Sequence, residues 1–349
     1  MRSLMAFHIR NDSDAALYHT LGGMLAYSIY STVGLGFARL THFCLASTSS
    51  FAPCSEDGSQ EGHVTDMSVA ATGQSFLVML EIMDCLINRT QPTPLRVPRS
   101  PSPSATPSSK PALAVLDSHL GLCVPLLPYY HDLCVINNSL LHTQDEDHVR
   151  ALHDRLTEIH RSVESWQPPS LAQLLDHPQH PKHSALSTVQ VIHLLSQARL
   201  YRLGVMLMAH RLRHPFGDTH HDHIAGIWSR EIMTELESAY TATQQPLRFV
   251  TLPFIIAAVE ATGVDCHHQS GPNCAQGKQS SPRERTLRAL DEHVDRYAPA
   301  LKTAIKQFLS KIWQERDADP GLRWFDSVHK PCPVVDSIYA DLCVPVAVT

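Results

Sequence analysis

Histidine supplies most of the side chains in this sequence that could do chemistry, with 23 of them among 349 residues. A neutral imidazole can act as a base near neutral pH or as a ligand for zinc. Three groups have the spacing to be considered. His177, His180 and His183 lie three apart among prolines, and Cys266, His267, His268 and Cys274 share one short segment. His210 and His214 lie four apart, with His220, His221 and His223 soon after. The proline-spaced triplet has no helical face on which its rings could converge. Cys266 and Cys274 are too far apart for a zinc knuckle and have no matching second pair. His210 and His214 stand beside Arg211 and Arg213 at a helix end, where positive charge is favourable. The expectation is therefore no catalytic residue, no metal ligand and no cofactor. The alternative is a small-molecule-binding or metal-dependent enzyme using residues 210–223. It would require His210, His214 and His221 to converge with a carboxylate such as Asp218 or Asp222.

Other chemical signatures fall short. Gly271 to Lys278 resembles a phosphate loop, but five residues separate Gly271 from Gly277, and Gln279 stands where Ser or Thr would hold magnesium. No G-x-S-x-G, H-E-x-x-H or G-x-G-x-x-G occurs. The nine cysteines are scattered and never spaced C-x-x-C, so a six-cysteine zinc cluster that reads DNA is excluded within this sequence. They read as reduced, mostly buried thiols. The net charge is −6. Neutralising phosphates normally requires a basic excess, so no direct DNA binding is expected from this chain alone.

The elements that must position these residues are helical. Val149, Leu152, Leu156, Ile159, Val163 and Trp166 recur three and four apart, and Pro168-Pro169 ends that helix. From Thr188, a longer stripe runs through Val191, Leu195, Ala198, Tyr201, Val205, Met208 and Leu212, and Leu200, Leu203 and Leu207 widen it. A helix apolar on so much of its circumference is central. Ile224, Ile227, Trp228, Ile232 and Leu236 mark the next helix. Ser281-Pro282-Arg283-Glu284 has the form of a capping box. Leu301, Ile305, Phe308, Leu309, Ile312 and Trp313 form a last stripe. Residues 249–252 and 342–344 are the best strand candidates. Residues 15–38 are apolar enough to weigh as a membrane span, but polar residues and glycines dilute them, and a buried helical segment is expected with no membrane association. Breaks fall at residues 47–62, 90–111 and 266–281.

The fold class is therefore all-α, a multi-helix bundle or array with a disordered Pro/Ser-rich linker. Residues 1–89 form an N-terminal helical part, 90–111 the linker and 112–349 the main helical domain. Thr93-Pro94, Ser100-Pro101, Ser102-Pro103 and Thr106-Pro107 in the linker are candidate proline-directed phosphorylation sites, with an inert disordered spacer as the equal alternative.

Four phrases in order carry a family resemblance. The first runs from Ala198 through Tyr201-Arg202 to Arg211-Leu212-Arg213-His214-Pro215-Phe216-Gly217. It is followed by 232–236, by 252–260 ending in Glu260, and by Ile312-Trp313-Gln314-Glu315-Arg316-Asp317 with Arg323-Trp324-Phe325-Asp326. Together they resemble the fungal-specific transcription factor domain, the large helical region that follows the zinc cluster in many fungal regulators. The resemblance implies a nuclear regulator of a metabolic or secondary-metabolite gene set. It would work with other transcription regulators or a DNA-binding partner and would have room for a small-molecule effector. The DNA-reading head of such regulators is missing from these residues. Tyr201, Arg202, Arg211, Arg213, Pro215, Phe216, Glu260, Trp313, Arg316, Asp317, Trp324, Phe325 and Asp326 are the motif residues, expected to be structural. Glu260 or Asp317 is the expected partner of Arg202. Trp313, Trp324 and Phe325 are expected to close one end of the bundle.

Overall fold

The computed structural model describes residue 45 and residues 75–83, 85–86, 91–94, 120–168, 186–214, 216–262, 281–293 and 299–318. Among these residues the regular structure is helical, as the three-four spacing predicts, and no β-strand occurs. A 3-10 turn, Val124–Leu126, leads into α1 (Leu127–His142), and α2 (Glu146–Ser165) follows. Next come α3 (Thr188–Arg213), α4 (Thr219–Thr243) and α5 (Thr251–Ala258). Helices α6 (Pro282–His293) and α7 (Pro299–Ala318) complete the set.

Helix α3 is the axis of the bundle, packing against α1, α2, α4 and α5. Its buried residues lie on all sides, from Ala198 and Leu200 to Leu207 and Leu212. The widened apolar stripe requires this, because no single partner could cover it. Helical residues 75–83, 85 and 86 join the same core through Phe76, Leu77, Leu80, Ile82 and Met83. Local chemistry starts the helices where the sequence places them. Asp145 caps α2 by accepting from the Asp147 amide, and Ser187 and Gln190 close a capping box on α3. The Ser281–Glu284 box also forms, with the Ser281 amide donating to Glu284 Oε2 at 3.0 Å and the Glu284 amide to Ser281 Oγ at 3.2 Å.

Two expectations are corrected. Residues 249–252 are no strand: Phe249 has φ of 54°, and Thr251 and Leu252 open α5. Pro253 fits the first turn of that helix, where its missing N–H would have had no partner. Pro92 and Thr93 are buried, and Thr93 donates from its backbone amide and its Oγ1 to Glu81 Oε1, at 3.0 and 2.5 Å. A kinase has no access to a hydroxyl so placed, so Thr93 is withdrawn as a phosphorylation site. The other three proline-directed sites lie outside the described residues, as do 15–38, the 271–278 segment, the remaining strand candidate, and Pro215, Trp324, Phe325 and Asp326. None of the described helices is long and apolar enough to cross a membrane.

Candidate functional site

The motif residues meet at one corner of the bundle, where α3 ends, α5 ends and the last turns of α7 pass. Arg211, in the last turn of α3, is 2% exposed in its side chain, and its carboxylate partner Glu260 is 3% exposed. Two parallel hydrogen bonds join them, from Nε to Oε1 at 2.8 Å and from Nη2 to Oε2 at 2.5 Å. Arg211 Nη1 reaches Asp222 Oδ1 on α4 at 2.7 Å, and Asp222 Oδ2 accepts from the Gly217 amide at 3.1 Å. Burial would pull the guanidinium's pKa down, but Glu260 and then Asp222 outweigh it and raise it above its ordinary value.

Phe216 sits in this knot. The guanidinium carbons of Arg211 and Arg316 stand 4.2 and 4.1 Å from its ring centroid, within cation–π range. Arg316 also donates to the Val259 carbonyl, and burial lowers its pKa. Trp313 is buried as its stripe predicts, and its indole N–H donates to the Ala258 carbonyl at 3.2 Å. Arg283 on α6 lies 5.4 Å from the Trp313 ring and grips Asp317 with two bonds of 2.5 and 2.7 Å.

The expected partner of Arg202 is corrected. It takes no carboxylate; its Nε and Nη2 donate to the carbonyls of Val163 and Glu164 at 3.0 and 2.6 Å, at the C-terminal end of α2. Carbonyls in the last turn of a helix lack the regular i+4 amide, and Val163 O accepts besides only from the Trp166 amide at 3.2 Å, so a guanidinium suits them. Glu260 serves Arg211 instead, and Asp317 serves Arg283. Arg213 donates to Thr157 Oγ1 at 2.5 Å. Tyr201 is fully buried, and its hydroxyl donates to the Phe249 carbonyl at 2.8 Å. Arg283 and the pairing role of Asp222 escaped the sequence reading. Arg283 and Asp317 are 34 residues apart, and no local period marks such a pair.

On the outer side of the same α3–α4 turn, three imidazoles converge. One ring nitrogen from each of His210, His214 and His221 lies within 4.8 Å of the others. The His214 and His221 rings stack at 3.6 Å with 12° between their planes. Trp228 stands edge-on to His210 at 5.2 Å. Burial chiefly lowers the pKa of His210 and of His214 to about 4. Both rings are therefore neutral at physiological pH, and the expectation that they cap α3 with positive charge is corrected. Their backbones sit at the helix end, but the rings turn to His221.

The motif arginines, acids and aromatics thus tie three helix ends of the bundle together. Residues 50–334 match the fungal specific transcription factor domain, and the chain belongs to that family of transcriptional regulators. No curated protein and no solved structure matches it at a significant level.

Proposed function

We propose that this protein regulates transcription in the nucleus, controlling a metabolic or secondary-metabolite gene set. Its helical domain would serve as the surface and switch, and DNA contact would come from outside these 349 residues. The observation that carries this reading is the Arg211–Glu260–Phe216–Arg316 corner. The family's phrases there are engaged in buried pairing between helix ends, which supports a structural role for those side chains. A net charge of −6 and the absence of any C-x-x-C pair support contact with DNA through a partner or an adjoining segment. The partner would be another transcription regulator, and a small-molecule effector is compatible with the half-buried imidazole corner.

The test joins residues 1–349 to a heterologous DNA-binding head upstream of a reporter, with deletion of the native gene alongside. The reading expects altered reporter output and coordinated changes in a set of transcripts. An inert fusion, together with an unchanged transcriptome, refutes it.

A further inference from the structure

We propose that His210, His214 and His221 form a binding site for a divalent transition-metal ion, zinc foremost, that ties the end of α3 to the start of α4. His210 and His214 are four apart, so they share a face of α3, and His221 enters from the first turn of α4. Three imidazoles with one further position left open is a donor set that zinc accepts. Zinc–nitrogen bonds of about 2.0–2.1 Å place tetrahedral donor atoms ~3.4 Å apart. The three nitrogens already lie within 4.8 Å of one another, and because the His214 and His221 rings stack in near-parallel planes, one of the two must swing out of the stack to aim its nitrogen at a shared ion.

Three further observations point to a ligand. The buried Nδ1 of His221 has no hydrogen-bond partner, which is costly for a polar atom unless something else satisfies it. His210 Nε2 lies 3.1 Å from the His221 carbonyl, which can only accept. Nε2 therefore carries the proton, which leaves Nδ1 as the nitrogen that would have to meet the metal, with the other ring N–H held by a carbonyl as is usual for ligating histidines. Finally, among the described residues no carboxylate forms an ion pair with any of the three rings. Asp222 is engaged by Arg211 and the Gly217 amide, and Asp218 caps α4 by accepting from the amides of His220 and His221.

The site is half-buried and so open to exchange, and it abuts the turn that presents Phe216 to Arg211 and Arg316. Occupancy would fasten that corner.

The full chain, stripped of metal and reduced, is titrated with cobalt(II) and then zinc, with absorption spectra, bound metal per chain and thermal unfolding recorded. Other histidines and cysteines can bind metal, so the parent is compared with His214→Asn/His221→Asn and with the exposed control His220→Asn/His223→Asn. The proposal expects a tetrahedral cobalt band without thiolate charge transfer. It also expects the parent and the control to bind one equivalent more than the His214/His221 variant, or the affinity of that variant to fall at least about tenfold. Zinc should raise the melting temperature of the parent and the control alone. Equal binding and equal zinc response in all three proteins overturns the proposal, as does equal loss in the control. Circular dichroism without metal checks that each variant folds, and His214→Cys, which keeps a zinc donor, should restore binding should the asparagine pair unfold.

Discussion

A guanidinium that is 2% exposed needs its countercharge, and Arg211 has two, Glu260 and Asp222. Removing one side strands the other in a site with little water. Arg211→Ala or Glu260→Ala is therefore expected to cost about 3–5 kcal/mol. Arg211→Met combined with Glu260→Leu should recover much of that loss, because an apolar pair leaves no buried charge behind. Urea unfolding of the three variants measures both. Trp313→Ala is expected to cost about 3–5 kcal/mol as well, through lost burial. Two histidines add a pH dependence. Burial lowers the pKa of His193, which bonds Thr243 Oγ1, and of His293, which lies against Tyr240. In the unfolded chain both take a proton near pH ~6.5, while in the folded protein they resist it. Their contribution to stability is thus full above that value and is lost as pH falls through it toward the folded pKa values. In chelator, between about pH 7.5 and 5.5, the parent should lose stability faster than His193→Asn/His293→Asn. Identical slopes would refute this. The burial of Trp313 was legible because its neighbours repeat three and four apart. Arg211–Glu260 was not, because 49 residues separate the two and only the fold brings them together.

At the scale of the element, helix starts were the most legible feature, since a cap is a short-range hydrogen bond that sequence spacing determines. Ser281–Glu284 closes as its order implies, and Ser187–Gln190, which the sequence reading passed over, closes in the same form. Phe249 was misread because aromatic and β-branched residues favour strands, whereas here a buried Tyr201 hydroxyl holds its carbonyl in a left-handed turn ahead of α5. Helix α3 has another feature that only packing explains. Gly204 stands mid-helix, where glycine costs roughly 1 kcal/mol relative to alanine. A Cβ there would lie 2.2 Å from the Tyr130 hydroxyl, which donates to the Tyr201 carbonyl, and 3.4 Å from the Pro253 Cβ. The Tyr130 ring is fully buried and has nowhere to retreat. Gly204→Ala should therefore lower the melting temperature despite its better helix propensity. Adding Tyr130→Phe removes the colliding oxygen and should restore part of the loss, so the two changes are non-additive in a double-mutant cycle. Simple additivity would mean that Gly204 is not there to admit the phenol.

At the scale of the whole molecule, the four motif phrases lie far apart in sequence, yet the described parts of three of them converge on one corner, with α3 carrying the connection through the core. That arrangement ties the ends of α3, α5 and α7 together beside the α3–α4 turn. The described cations of the corner are committed: Arg211 to Glu260 and Asp222, Arg283 to Asp317, Arg316 to the Val259 carbonyl and Phe216. Arg202 and Arg213 are turned onto α2. A phosphate backbone would have to compete with these intramolecular partners and approach a chain of net charge −6. Each phosphate neutralised contributes about 0.9 to the slope of log affinity against log salt, so a genuine DNA-binding face betrays itself by a slope of several units. Purified residues 1–349 are therefore expected to show no sequence-selective shift in a gel assay and a shallow salt dependence for whatever weak association occurs. Supplying a DNA-binding partner should convert this into selective, salt-steep binding. Selective binding by the chain alone, with a slope of several units, would place a DNA-reading surface within these residues and overturn the division of labour proposed for them.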